Sequence, residues 1–176
     1  MLPIGPLMEE HRVIEKLMPA MRRIADAGRR EGMIDLQVVD IAVDFVRNYA
    51  DRCHHGKEEG ILFVALESKP LAAPYRRTLE ELVEEHKLGR RITRELTEAA
   101  EAFRRGDRSA LAVLIERLES LAEFYPRHIA KEDRDFFIPV MDYFSHAEKD
   151  DLLEAEREFD RCVIHEVYED KLQAIR

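Results

Sequence analysis

Apolar positions along the chain recur at steps of three and four, the period of one helical face, and nowhere over a useful length at steps of two. Leu7, Ile14, Met18 and Met21 predict a first helix from just after Pro6 to about Gly28, with His11 on the same stripe. Ile41, Ala42, Phe45, Val46, Tyr49 and Cys53 mark the buried side of a second, from about Asp35 to Ser68, which Lys69-Pro70 ends. Pro74 opens a third, running to about Arg105 with Leu79, Leu82, Val83, Leu96 and Phe103 inward, and Gly106-Asp107 stops it. The fourth spans roughly Ser109 to Tyr143 on Leu111, Leu114, Ile115, Leu118, Leu121, Ala122 and Tyr125. Pro126 should kink this helix or end a first segment of it, and Pro139 should do the same near its far end. Ser145 can cap a fifth helix from about His146 to Ile175, with Leu152, Leu153, Phe159, Val163 and Val167 inward. The loops are short, so successive helices run antiparallel. The expected fold is all-α: an up-down four-helix bundle with an additional C-terminal helix, one domain over residues 1–176.

Several polar residues fall on the apolar faces. Positions 79, 82, 86, 89, 93 and 96 follow one face of the third helix, so His86 points at the core as His11 does in the first. Either histidine alone reads as an ordinary core or boundary residue. The second helix carries RCHHGKEEGILF at 52–63, and the fourth carries RHIAKEDRDFF at 127–137. At a constant offset of 74 residues, His54 matches His128, Lys57 matches Lys131, Glu58 matches Glu132, Glu59 matches Asp133 and Phe63 matches Phe137. Residues four apart on a helix stack, so H-x-x-x-E projects an imidazole and a carboxylate toward one point. Two such helices and one histidine from each of two others can meet on the bundle axis. That His/carboxylate set suits iron, manganese or zinc, and two carboxylates able to bridge suit a pair of ions. Metal also removes the cost of burying two unpaired glutamates.

The helical wheel introduces a conflict. Drawn through Phe45, Tyr49 and Phe63, it turns His55 and Glu59 inward, whereas the repeat selects His54 and Glu58. A π-bulge near Cys53 would shift the register and let both histidines reach a metal.

The net charge of −9 argues against a nucleic-acid partner, which needs a basic face. The arginines at 22, 23, 29 and 30 fit the carboxyl end of the first helix. Two cysteines, Cys53 and Cys162, make no disulfide framework. Neither a signal-peptide pattern nor an apolar stretch near the ~20 residues of a membrane span is evident, so a cytoplasmic location without membrane contact is expected. Cys53 beside His54 is a weak nucleophile pair, because helical neighbours diverge by about a quarter-turn.

In this order, MEEHRVIEKL, DRCHHGKEEGILF, EEHKLGR and RHIAKEDRDFF resemble the hemerythrin-like, or HHE cation-binding, family over essentially the whole chain. The resemblance implies a four-helix bundle around a non-haem di-iron centre. By it, His11, His54, His86 and His128 are terminal metal ligands and Glu58 and Glu132 bridge the ions. Some iron-sensing members use a ligand directly after the first-motif histidine, which adds His55. Oxygen-carrying members have a further histidine four residues after the third-helix one, where this chain has Arg90, and they close the last motif as H-x-x-x-x-D. Asp133 stands at that position, and Glu132 fits the HHE version better. The expectation is therefore a di-iron protein that binds, senses or reacts with O2, NO or peroxide rather than a reversible oxygen carrier. An iron-responsive regulator or iron donor is the alternative. Around this set, Tyr125 reads as a core aromatic or a phenol near the metals, and His146 as a helix start. His165 reads as a surface histidine or one behind the ligands. Gly89 reads as a packing glycine or as room for a small ligand.

Overall fold

A computed structural model describes residues 2–161 together with 172 and 173. Among the described residues there are five helices and no strand. Helix α1 (Ile4–Glu31) begins before Pro6 rather than after it, because Pro3 and Pro6 both fall where a helix leaves N–H groups unused. It ends on Gly32, whose left-handed φ of 66° lets its N–H reach the Gly28 carbonyl.

Helix α2 covers residues 36–67. It opens as an α-helix (Leu36–Phe45) capped by the Asp35 carboxylate, which accepts from the Gln37 N–H. It then widens to π winding over Val46–His55 and again over Glu58–Phe63, and closes with Val64–Glu67. The Gly56 N–H donates to the Asp51 carbonyl five residues back, the bond that defines the wider turn. The register shift expected near Cys53 is thus a ten-residue stretch.

Helix α3 (Ala73–Arg104) starts with proline in its first turn. Helix α4 covers residues 110–140: an α-helix (Ala110–Lys131), a π turn (Glu132–Phe136) and a last α turn (Phe137–Val140), followed by a 3-10 turn at Met141–Tyr143. Of the two alternatives for Pro126, the end of a first segment does not occur: the α-helix runs through it. The Ala122 carbonyl, which its missing N–H would have bonded, accepts instead from Arg22 Nη2 at 3.1 Å, and the winding changes only at Glu132.

Helix α5 (His146–Phe159) opens with a reciprocal capping box between Ser145 and Glu148. It ends at Phe159, short of the predicted Ile175, where Asp160 turns back toward α2 and bonds Lys57. Phe159 is 44% exposed rather than buried, because its ring lies over Gly56 at the helix end. The expectations for Cys162, Val163, His165 and Val167 lie outside the described residues.

Helix α4 packs along both α1 and α3, α2 packs along α3 and α1, and α5 lies on the second π stretch of α2. The core is split. One apolar cluster runs from Ile14 through Phe45, Leu96 and Leu118 to Ile129; the other gathers Leu7, Leu62, Leu82, Phe136 and Val140. On α1, α2 and α3 the polar residues singled out above lie in sequence between these two clusters, and on α4 they fall where the first gives way to the second, so a charged layer sits between two apolar ones. No helix among the described residues is long and apolar enough to cross a membrane.

Replacing Arg22 with Ala should leave the Ala122 carbonyl without its donor and cost about 1 kcal/mol. Arg23→Ala, a neighbour with no such bond, is the control, and urea denaturation reads both.

Candidate metal centre

Seven side chains from four helices converge in that layer: His11 from α1, His54, His55 and Glu58 from α2, His86 from α3, and His128 and Glu132 from α4. All are buried, none more than 2% exposed. The π winding explains why adjacent residues can share an interior. At about a hundred degrees per residue His54 and His55 would diverge; the wider turn brings both inward and still leaves Glu58 one turn on. Glu59 does not follow them. Its half-buried carboxylate accepts from His86 Nδ1 and Arg90 Nη2, each at 2.7 Å.

Every imidazole in the layer is held from behind in the same way. A carboxylate is an acceptor only, so each Nδ1 facing one carries the proton and each Nε2 presents its lone pair inward. His11 Nδ1 donates to Asp133 at 2.7 Å, His54 to Glu10 at 2.8 Å, His86 to Glu59 at 2.7 Å and His128 to Glu85 at 2.8 Å. A cation anchors each of those acids in turn: Arg12 on Asp133, Lys57 on Glu10, Arg90 on Glu59, and Lys131 on Glu85 at 2.5 Å. The two halves match. Glu10 and Glu85 each precede a single histidine, His11 or His86; Lys57 and Lys131 each follow a motif histidine by three residues; Glu59 and Asp133 are equivalent in the repeat. The closing phenylalanines match too, with Phe63 stacked on His86 and Phe137 on His11. His55 breaks the symmetry, since its counterpart is Ile129. Its Nδ1 meets Asp51 at 3.4 Å, the longest of these bonds.

Of these, Glu59 was an inward candidate from the helical wheel and Asp133 an alternative to Glu132, and the structure puts both behind the histidines; Glu10, Glu85, Arg12, Lys57 and Lys131 were not singled out as site residues from the sequence. The signal lay in the repeat, which aligns the lysines, and in the Glu-His pairs of EEHRV and EEHKL.

On the inner side the arrangement reverses. Nine donor atoms have no hydrogen-bond partner: the Nε2 of all five histidines and both oxygens of Glu58 and Glu132. Donor atoms of His11, His54, Glu58 and Glu132 lie within 4.8 Å of one another, as do those of His55, His86 and His128. The two acids straddle both groups. Glu58 sets Oε1 3.2 Å from His54 and Oε2 3.4 Å from His86. Glu132 sets Oε2 3.2 Å from His11 and Oε1 3.3 Å from His128. Such a donor set can hold cations.

Without an ion, protons take up the charge. Burial works to lower the His54 imidazolium, but Glu58 and Glu10 outweigh it and raise its pKa to about 10. His86 rises to about 9 under Glu132, Glu59 and Glu58, again against burial. Burial works to raise Glu132, yet His128, His11 and His86 hold it well below the carboxylate range. His55 falls well below 6.5, through burial and through His86, His54 and His128 beside it.

A second buried group lies where α5 meets α2. Lys57, fully buried, bonds Glu10 and both oxygens of Asp160 at 2.7 Å. The Cys53 thiol donates to Asp160 at 3.6 Å and burial pushes it up to about 12, which removes it as a nucleophile at neutral pH. Glu156, 1% exposed and with both oxygens unpartnered, is raised to about 8 by burial and by Glu10 and Asp160, against the pull of Lys57.

Replacing Lys57 with Met strands Glu10 in the interior and should cost about 3 kcal/mol. Lys131→Met removes a half-buried partner and should cost about 1 kcal/mol or less; urea denaturation compares the two. Glu156 has a folded pKa above its ordinary 4.5, so its contribution is complete below about 4.5 and lost as pH rises through about 8. Glu156→Gln removes that loss. The variant should match the parent at pH 4.5 and exceed it by about 2 kcal/mol at pH 9.

No curated protein and no solved structure matches the chain. The family model described as the hemerythrin HHE cation binding domain matches residues 2–138, which takes in every residue of the layer and stops before α5. With a bundle of this kind and a donor set of this composition, the chain belongs to the hemerythrin HHE cation-binding family.

Proposed function

We propose that the layer holds two iron ions, with His11, His54, His55, His86 and His128 as terminal ligands and Glu58 and Glu132 as bridges. The observation that carries this is the pair of straddling carboxylates, each offering one oxygen to either group of imidazoles. The number of donors bears on the metal. Two tetrahedral zinc ions would use eight, fewer than the nine present. Two six-coordinate ions take all nine and keep about three positions for solvent or an incoming ligand. Imidazole nitrogen outnumbers carboxylate oxygen here, which favours iron over manganese.

Held by these residues, iron would supply Lewis acidity and electrons for a small oxidant such as O2, NO or peroxide. The chain's own part is to hold each Nε2 lone pair inward, to keep each Nδ1 proton on its carboxylate, and to exclude bulk water through the two apolar clusters. Arg90 stands where the oxygen carriers have a histidine and anchors an acid instead, which favours sensing or turnover over reversible carriage.

The unpartnered donors favour a second reading as well. A centre that is costly without metal makes the fold depend on metal, as an iron-responsive regulator or iron donor requires.

Anaerobic loading with ferrous iron should give about two ions per chain by elemental analysis, and air should then produce near-UV charge-transfer absorption. Chelation should lower the melting temperature by several degrees, since an ion that binds only the folded chain stabilises it. Protein that retains no metal when prepared without oxygen, and melts identically with chelator, would sink both readings.

A further inference from the structure

A cavity of about 110 Å³ opens between α2 and α3, beside the metal layer. His55 is the residue of the layer that lines it, and Arg47, Arg90, Arg94, Thr93 and Tyr125 complete the polar wall. We infer that this cavity is a binding site for a small carboxylate or oxyanion, a pocket distinct from the metal positions behind His55.

The wall offers donors and has little left to accept. Arg90 gives Nε to Asp51 and Nη2 to Glu59, each at 2.7 Å, and its Nη1 bonds no described residue. Asp51, the single acid on the wall, is already shared between Arg90 and His55. Arg47 pairs with no described acid, and Arg94 has only a loose contact with Glu98 at 3.9 Å. The Thr93 hydroxyl proton goes to the Gly89 carbonyl. Tyr125 is 1% exposed, lines the cavity and bonds no described residue through its hydroxyl. A tyrosine hydroxyl carries a proton to donate at neutral pH.

A buried phenol and a spare guanidinium edge ask for an acceptor, and at the mouth Arg47, paired with no described acid, and Arg94, only loosely paired with Glu98, favour negative charge. They do so in a protein whose net charge is −9. Size narrows the choice. At roughly 30 Å³ per water-sized unit, the space takes about three or four non-hydrogen atoms. Formate, bicarbonate and nitrite have these dimensions. Gly89 and Phe124 bound the possibilities further: a Cβ at Gly89 would meet the Phe124 ring at 3.2 Å, so this wall is already closed by packing.

Calorimetric titration of the full chain with formate, and with neutral formamide of the same shape, tests the site in iron-loaded and chelator-treated protein. Formate should bind in both states and formamide at least tenfold more weakly. Tyr125→Phe should weaken formate about fivefold, the loss of one hydrogen bond. Because Arg47 and Arg94 are exposed, the double change Arg47→Gln with Arg94→Gln keeps the fold and should weaken formate about tenfold at low salt, less at high salt. Equal binding of formamide, or unchanged affinity in Tyr125→Phe, overturns the inference. Binding that vanishes with the metal and ignores Tyr125 also overturns it, placing the anion on the ions and leaving the iron reading standing. Absence of metal would end the iron reading and leave this site intact.

Discussion

Nine unpartnered donor atoms enclosed between two apolar clusters are the constraint around which the molecule is organised. An unpaired buried carboxylate costs several kcal/mol, and here two of them face five imidazoles across a few ångströms, where without an ion only protons on those imidazoles offset the charge. The bundle cannot relieve this by turning the side chains outward, because each imidazole is fixed from behind by its own acid. What is rigid on the outer side and unsatisfied on the inner side is a cage for cations.

That cage is supported by a shell of opposite charges. Each acid behind a histidine would be expensive alone, and the arginine or lysine beyond it makes it tolerable. The depth of this shell varies. Lys57 and Glu10 are fully enclosed, and α5 covers them with Asp160 and Glu156; Lys131 and Glu85 are half-open to solvent. α5 lies beyond the family match, so one half of a nearly two-fold arrangement carries an added lid of acids that, among the described residues, the other half lacks. Glu156 is the residue that this addition leaves unsatisfied, and its raised pKa expresses first its burial and then the acids Glu10 and Asp160 beside it.

His55 gives the two halves different chemistry. It places three imidazoles in one group and two in the other, and it separates the layer from the arginine-lined cavity. Its hold on Asp51 is looser than that of the other histidines on their acids, because Arg90 draws Asp51 toward itself. The same Arg90 steadies His86 through Glu59, so one guanidinium adjusts two imidazoles of the same group.

Much of this was legible in the chain. Periods of three and four set out the helices, and the 74-residue repeat identified His54, Glu58, His128 and Glu132 as an inward set, because helical geometry converts spacing directly into direction. The clash between that repeat and the helical wheel pointed to a local change of winding, and the change is there. Helix ends were less legible: α5 stops at Phe159 because Asp160 is drawn to Lys57, a contact across 103 residues that no local pattern encodes. Pro126 likewise passes through α4 because Arg22 of another helix takes up the freed carbonyl. The acids and cations behind the histidines depended on the tertiary structure for the same reason. On a surface rich in Glu, Lys and Arg, spacing cannot say which charge meets which, and only helix packing brings Glu10 to His54 or Glu85 to His128. The sequence by itself determined which residues face inward, since that follows from one helix at a time; the fold decided which of them meet, since that depends on how four helices are set against one another.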